Sequence, residues 1–136
     1  MKSKAIEILI ADDDAEDRML IRDALTEIRL KNNLHFVEDG EQLLDILKNT
    51  GKYSDRMMYP RPGIILLDLN MPRKDGREAL REIKADPELR HIPIIVLTTS
   101  KAEEDIFRTY DLGVSSFITK PVSFGGLVEI MQTLNK

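Results

Sequence analysis

No cysteine occurs among the 136 residues, which excludes disulfides, thiolate metal sites and cysteine nucleophiles. There is no basic excess either. Twenty Lys and Arg against 24 Asp and Glu leave a formal net charge of −4. That argues against a nucleic-acid-binding surface, which usually carries a basic stripe. No run approaches the ~20 apolar residues of a membrane span. The opening MKSKAIEILIADDD is not a signal peptide, because its apolar stretch is short, broken by Glu7, and runs straight into acid. Linkers, low-complexity segments and sequence repeats are also lacking. These absences predict a cytoplasmic protein that engages neither nucleic acid nor membrane, built as one domain over residues 1–136 with no output domain.

What is present suits a globular fold. The chain is 42% hydrophobic, enough for a core, and its 32% of charged residues are mixed in sign, which argues against disorder. Short apolar runs alternate with helically spaced segments. Strands are expected at 6–11, 35–39, 63–69, 92–100 and 115–119. Helices are expected at 15–30, at 40–49 with Leu43, Leu44 and Leu47 inward, around Gly76, Ala79, Leu80 and Ile83, and at 102–111. A last helix is expected through Leu127, Ile130, Met131 and Leu134. Residues 50–62 read as a long mixed loop with two prolines. Five alternations of apolar strand and helix predict an α/β fold, a doubly wound parallel sheet with helices on both faces.

In such sheets ligands sit beyond the carboxyl ends of the strands. Those ends carry Asp12 and Asp13, then Asp68, then Thr98 and Thr99, then Lys120. Each has an ordinary reading. Asp14 suits a helix N-cap, a role worth about 1 kcal/mol, with Asp17 at the third helical position. Asp12 and Asp13 alone could be solvated loop acids, Thr98 a plain strand residue and Lys120 a solvated charge. The argument lies in their convergence. One ammonium cannot balance three neighbouring carboxylates, whereas a hard cation would, and oxygen ligands suit Mg²⁺.

These pieces, with LLDLNMP around Asp68, DG at 75–76 and KP at 120–121, resemble the receiver domains of two-component response regulators over residues 6–134. The CheY-like resemblance implies the flavodoxin-like strand order 2-1-3-4-5 and a phosphorylation-dependent signalling switch rather than an enzyme. It implies that Asp68 is the phosphoacceptor, and that Asp13, Asp68 and the backbone carbonyl of Asn70 hold Mg²⁺, with Asp12 acting through water. Lys120 would hold one phosphoryl oxygen and Thr98 another, and Phe117 would follow Thr98 by changing rotamer. A histidine kinase would be the phosphodonor. The long loop after the second helix, with RPGIILLDLNMPRKDGREAL, IKADPELRHIPIIVLTTSKAEEDI and SFITKPV, further resembles stand-alone receivers related to cyanobacterial phytochrome response regulators. That implies a phytochrome-type kinase.

Two positions depart from the commonest receiver pattern: Phe117, where many have Tyr, and Thr99, where many have a smaller residue. The Lys120–Pro121 bond is expected to be cis. The fourth helix, fifth strand and last helix are expected to form the face that changes on phosphorylation, serving either a homodimer or a separate protein. Rival functions fit less well. An aspartyl-phosphate phosphatase of the haloacid-dehalogenase type needs a general acid where Asn70 stands. A flavodoxin phosphate loop would be repelled by three Asp. DLNMPRKDG fails the calcium-loop pattern at Pro72 and Arg73.

Overall fold

The structure is a computed structural model, and it describes residues 6–27, 32–108, 113–114, 116–120, 122–123 and 125–129. The strands are β1 (Ile6–Ala11), β2 (Asn32–Val37), β3 (Ile64–Asp68), β4 (Ile94–Thr98) and β5 (Ser116–Thr119). Between them run α1 (Ala15–Glu27), α2 (Gly40–Lys48), α3 (Gly76–Ala85) and α4 (Lys101–Arg108). The sheet has the order β2-β1-β3-β4-β5, and every pair is parallel. The expected doubly wound architecture is therefore the observed one. Residues 125–129 are helical, while the expected continuation through Ile130, Met131 and Leu134 lies outside the described residues. So do residues 28–30 of the first helix, 109–111 of the fourth, and Pro121, whose peptide bond was expected to be cis. Among the described residues no helix is long and apolar enough to cross a membrane.

The strand alternation explains why the middle strands read as unbroken apolar runs. Leu9, Ala11, Ile65, Leu67, Ile94 and Val96 face one side, against Leu43, Leu47, Leu80 and Ile83 of α2 and α3. Ile8, Ile10, Ile64, Leu66, Ile95 and Leu97 face the other, against Ile21 and Leu25 of α1 and Leu127. A period of two splits each run between two cores, so neither face tolerates a polar residue. Burying each such Leu or Ile contributes about 1.5–3 kcal/mol.

The strand at 35–39 needs a correction, because β2 starts at Asn32 and stops at Val37. Its polar start is held by the neighbouring strand, where Asn33 Nδ2 donates to Glu7 and His35 Nε2 lies 3.1 Å from Glu7 Oε1. Its end is set by Asp39, whose side chain caps α2 by accepting from Gln42 N–H. The 50–62 loop is partly ordered by its own packing. It holds a single 3-10 turn, Gly51–Tyr53, and Tyr53 meets Tyr59 edge-on at 5.0 Å. Asn49 closes α2 in the left-handed region and donates to the carbonyls of Tyr53 and Tyr59.

Candidate functional site

The ladder extends one bond past β1, since Asp12 N–H donates to Val37 O at 3.0 Å. This pins Asp12 with its side chain fully buried. Its Oδ1 accepts from Asp14 N–H at 2.9 Å, turning the chain towards α1. Asp14 then caps that helix, its Oδ1 accepting from Glu16 N–H at 2.8 Å and Asp17 N–H at 3.3 Å, the ordinary role read from sequence. Arg18 reaches back to donate to Asp12 O at 2.8 Å.

Asp68 closes β3, beside β1, and is only 2% exposed. Its Oδ1 accepts from Asn70 N–H at 2.9 Å and its Oδ2 from Lys120 Nζ at 2.8 Å. The backbone behind it is tightly backed. Gly76 N–H donates to Leu69 O at 2.9 Å, and a Cβ on Gly76 would stand 2.4 Å from Asp68 O and 2.7 Å from Leu69 Cα. Only glycine fits there, which gives the DG at 75–76 its reason. Asp75 meanwhile caps α3 through Glu78 N–H.

Lys120 follows β5. Its N–H donates to Thr98 O at 2.7 Å, which fixes where the side chain starts. Its Nζ lies 2.8 Å from Asp68 Oδ2, 2.7 Å from Asp17 Oδ2 and 3.2 Å from Asp12 Oδ2. Burial, the largest single influence, lowers the Lys120 pKa, but the hydrogen bonds to Asp17 and Asp68 and the charges of Asp68 and Asp12 together raise it. The ammonium is firmly charged. Thr98 is fully buried, and its hydroxyl has no hydrogen-bond partner among the described residues. Thr98 pairs with Thr119 and Val96 with Phe117, so Thr98 and Phe117 share one face of the sheet, one step apart diagonally.

Asp12, Asp13 and Asp68 each offer a carboxylate oxygen within 4.8 Å of the others. Burial pushes the Asp12 carboxyl up to about 6, against the opposing pull of Asp14 N–H and Lys120. Although Asp12 Oδ2 lies 3.2 Å from Lys120 Nζ, it receives no well-directed hydrogen bond among the described residues. The cluster is thus short of positive charge. Its all-oxygen donor set, with one buried oxygen left over, fits a hard divalent cation.

Asp12, Asp13, Asp68, Asn70, Thr98 and Lys120 lie at this one edge, while Phe117 lies two residues back along β5 from its end at Thr119. Two others were missed. Asp17 was read only as a helix-start residue, yet it meets Lys120. Glu103 was not singled out, yet its carboxylate accepts from Asn70 Nδ2 at 3.1 Å and from Thr99 N–H at 3.2 Å. Asp17 lies one turn past an acidic strand end, and Ser100-x-x-Glu103 is a capping-box spelling. Those were the available signals.

Comparison with known proteins identifies the family and the fold. The response regulator receiver domain family matches residues 8–132. Response regulator Rcp1 of Synechocystis sp. is 39% identical over 125 residues, covering 92% of this chain and 83% of that protein. The crystal structure of its Mn²⁺-bound form superposes with a TM-score of 0.78 at 38% identity, over 96% of this chain and 91% of that one. The bacteriophytochrome response regulator RtBRR superposes with a TM-score of 0.90 at 36% identity, over 98% and 80% of the two chains. The phosphorylated cyanobacterial phytochrome response regulator RcpA gives a TM-score of 0.80 at 40% identity, over 97% and 92%. The chain belongs to the response regulator receiver domains, the signalling modules of two-component systems.

Proposed function

We propose that Asp68 accepts a phosphoryl group from a histidine kinase in a Mg²⁺-dependent reaction, and that the resulting charge switches the protein's contacts with a partner. One observation carries this reading. Asp68 is almost fully buried at the end of a central strand, with one oxygen on Lys120 and the other on Asn70 N–H, within reach of two further aspartates.

The transfer is mainly positioning and charge stabilisation. An Asp68 oxygen attacks phosphorus, the bond to the donor imidazole nitrogen breaks, and the imidazole leaves with the electron pair. Lys120 stays charged throughout and can follow an oxygen of the incoming group while remaining anchored on Asp17. The Thr98 hydroxyl, without a hydrogen-bond partner among the described residues and on the Phe117 face, can donate to another. Asp13, Asp68 and the Asn70 carbonyl would hold Mg²⁺, with Asp12 acting through water, and the bound ion would supply positive charge to screen the acids from the incoming phosphoryl group. Relatives support both parts, since RcpA has been solved phosphorylated and Rcp1 with Mn²⁺.

A phytochrome-type kinase is the preferred donor, because several structural neighbours are bacteriophytochrome or cyanobacterial phytochrome response regulators. The output face is that of α4, β5 and the helix after it, and it serves a homodimer or a separate protein in the cytoplasm. The phosphatase reading lacks its general acid, because Asn70 occupies that place. Intact-mass measurement after incubation with a phosphorylated cognate kinase tests the proposal. One added phosphoryl group is expected, lost in Asp68→Asn and with EDTA. A gain that persists in Asp68→Asn moves the acceptor elsewhere, and one indifferent to EDTA removes the metal.

A further inference from the structure

Ser100 and Glu103 begin α4 as a capping box would. Ser100 Oγ accepts from Glu103 N–H at 3.1 Å. In that motif the glutamate turns back to the N–H of the capping residue itself. Here it reaches further. Glu103 Oε1 accepts from Thr99 N–H at 3.2 Å, and Oε2 accepts from Thr99 Oγ1 at 3.3 Å and from Asn70 Nδ2 at 3.1 Å.

Those donors belong to two loops. Asp68 pairs in register with Leu97, and Asn70 and Thr99 each stand two residues beyond that pair. The carboxylate therefore spans the β3–α3 and β4–α4 loops just past the strand ends that carry Asp68 and Thr98. An amide N–H, a side-chain amide and a hydroxyl gathered on one anion form the kind of donor set that stabilises phosphoryl oxygens. A carboxylate and a phosphoryl group cannot both hold it, because each carries negative charge and the donors are few.

We infer that Glu103 is a built-in competitor for the phosphoryl group. It holds Asn70 and Thr99 in the unmodified protein and is displaced from them when Asp68 is phosphorylated, which frees the first turn of α4. The inference rests on Asp68 being the phosphoacceptor. Glu103 is a positioning residue, acting through Asn70 and Thr99. Because the competition is reciprocal, whatever weakens the Glu103 contacts strengthens binding of the phosphoryl group.

The test titrates the protein with beryllofluoride, a phosphoryl analogue, in Mg²⁺, followed by amide resonances. Glu103→Gln is expected to half-saturate at about three- to tenfold lower beryllofluoride, the effect of weakening one or two charge-assisted hydrogen bonds. Glu103→Asp keeps the charge but is too short to span both loops, so it is expected to shift in the same direction. Asp105→Asn removes a neighbouring α4 carboxylate that, among the described residues, pairs along the helix with Lys101, and is expected to match wild type. In wild type the Thr99 amide and Asn70 side-chain amide should move on saturation together with residues 101–104. In Glu103→Gln the movement of 101–104 should shrink. Glu103→Gln binding like wild type overturns the inference. So does Glu103→Asp behaving as wild type while Glu103→Gln binds tighter, since that reports charge repulsion alone. Failure of the parent reading looks different: beryllofluoride would leave wild type unsaturated, or would still bind Asp68→Asn, and either result removes both.

Discussion

Lys120 Nζ bridges Asp17 Oδ2 at 2.7 Å and Asp68 Oδ2 at 2.8 Å, so a single ammonium ties the first turn of α1 to the end of β3. Its side chain is 15% exposed and Asp68's is 3%, which makes this a largely desolvated contact. Removing one partner of such a contact leaves the other charge stranded. Lys120→Met is expected to destabilise the metal-free protein by about 3 kcal/mol at neutral pH, read from urea unfolding in EDTA. Mg²⁺ should restore part of the loss, because it supplies the missing positive charge.

Asp12 makes the opposite prediction. Its carboxyl is raised from 3.8 to about 6, chiefly by burial. For an acid raised on folding, the stabilising contribution is complete below the unfolded value and is lost as pH rises through the folded one. In EDTA the wild type should therefore lose stability between about pH 4 and 6 on this account, by up to about 3 kcal/mol. Asp12→Asn should be more stable than wild type at pH 7 without metal, and should gain less in melting temperature when Mg²⁺ is added. A variant less stable than wild type in EDTA would contradict this.

Much of the site was legible because a strand end is a fixed address. An apolar run that stops at Asp68 declares both the strand and the position of its last side chain, and the same holds for Asp12 and Thr98. Partnership across the fold was not legible. Nothing in the spacing of Asp17 says that Lys120, more than a hundred residues later, will reach it. Glu103 looks like half of a local motif until Asn70 is brought beside it. The start of β2 was hidden for a related reason. Asn32 and Asn33 look like loop residues, and it is pairing with β1 that makes them strand. Tyr53 and Tyr59 gave no periodic signal, so the ordered part of the 50–62 loop could not be read at all.

Gly76→Ala should be among the most damaging single-methyl changes in the protein. The added carbon would meet Asp68 O and Leu69 Cα, backbone atoms that cannot swing aside. The small helix-propensity gain of alanine, about 1 kcal/mol, does not offset forced movement of the chain. A net loss of about 2–3 kcal/mol is expected in urea unfolding. Amide shifts should be concentrated at residues 68–70.

Asp39 works with both oxygens: Oδ1 caps α2 through Gln42 N–H at 2.8 Å, and Oδ2 accepts from Arg73 at 2.9 Å. Asp39→Ala should cost about 1–2 kcal/mol, the value of a helix cap. Asp39→Asn should cost less than half of that. An amide oxygen still caps, and the Arg73 side chain is 65% exposed, so its ion pair is worth little. Equal losses in the two variants, compared by thermal unfolding, would transfer the importance from the cap to the ion pair.

The loop after β3 is braced unequally on its two flanks. Towards α2 and α3 it is joined by main-chain bonds, Gly40 N–H to Lys74 O at 2.8 Å and Gly76 N–H to Leu69 O at 2.9 Å, at glycines with no room for a side chain. Towards α4 the bonds from Asn70 and Thr99 end on one glutamate side chain, which can let go by rotating. In mechanical language, one flank is an abutment and the other a latch. A displacement at Asp68 is expected to meet little compliance on the first side and to be taken up on the second. The direction in which this domain yields is thus written into which of its loop contacts are made by backbone and which by a side chain.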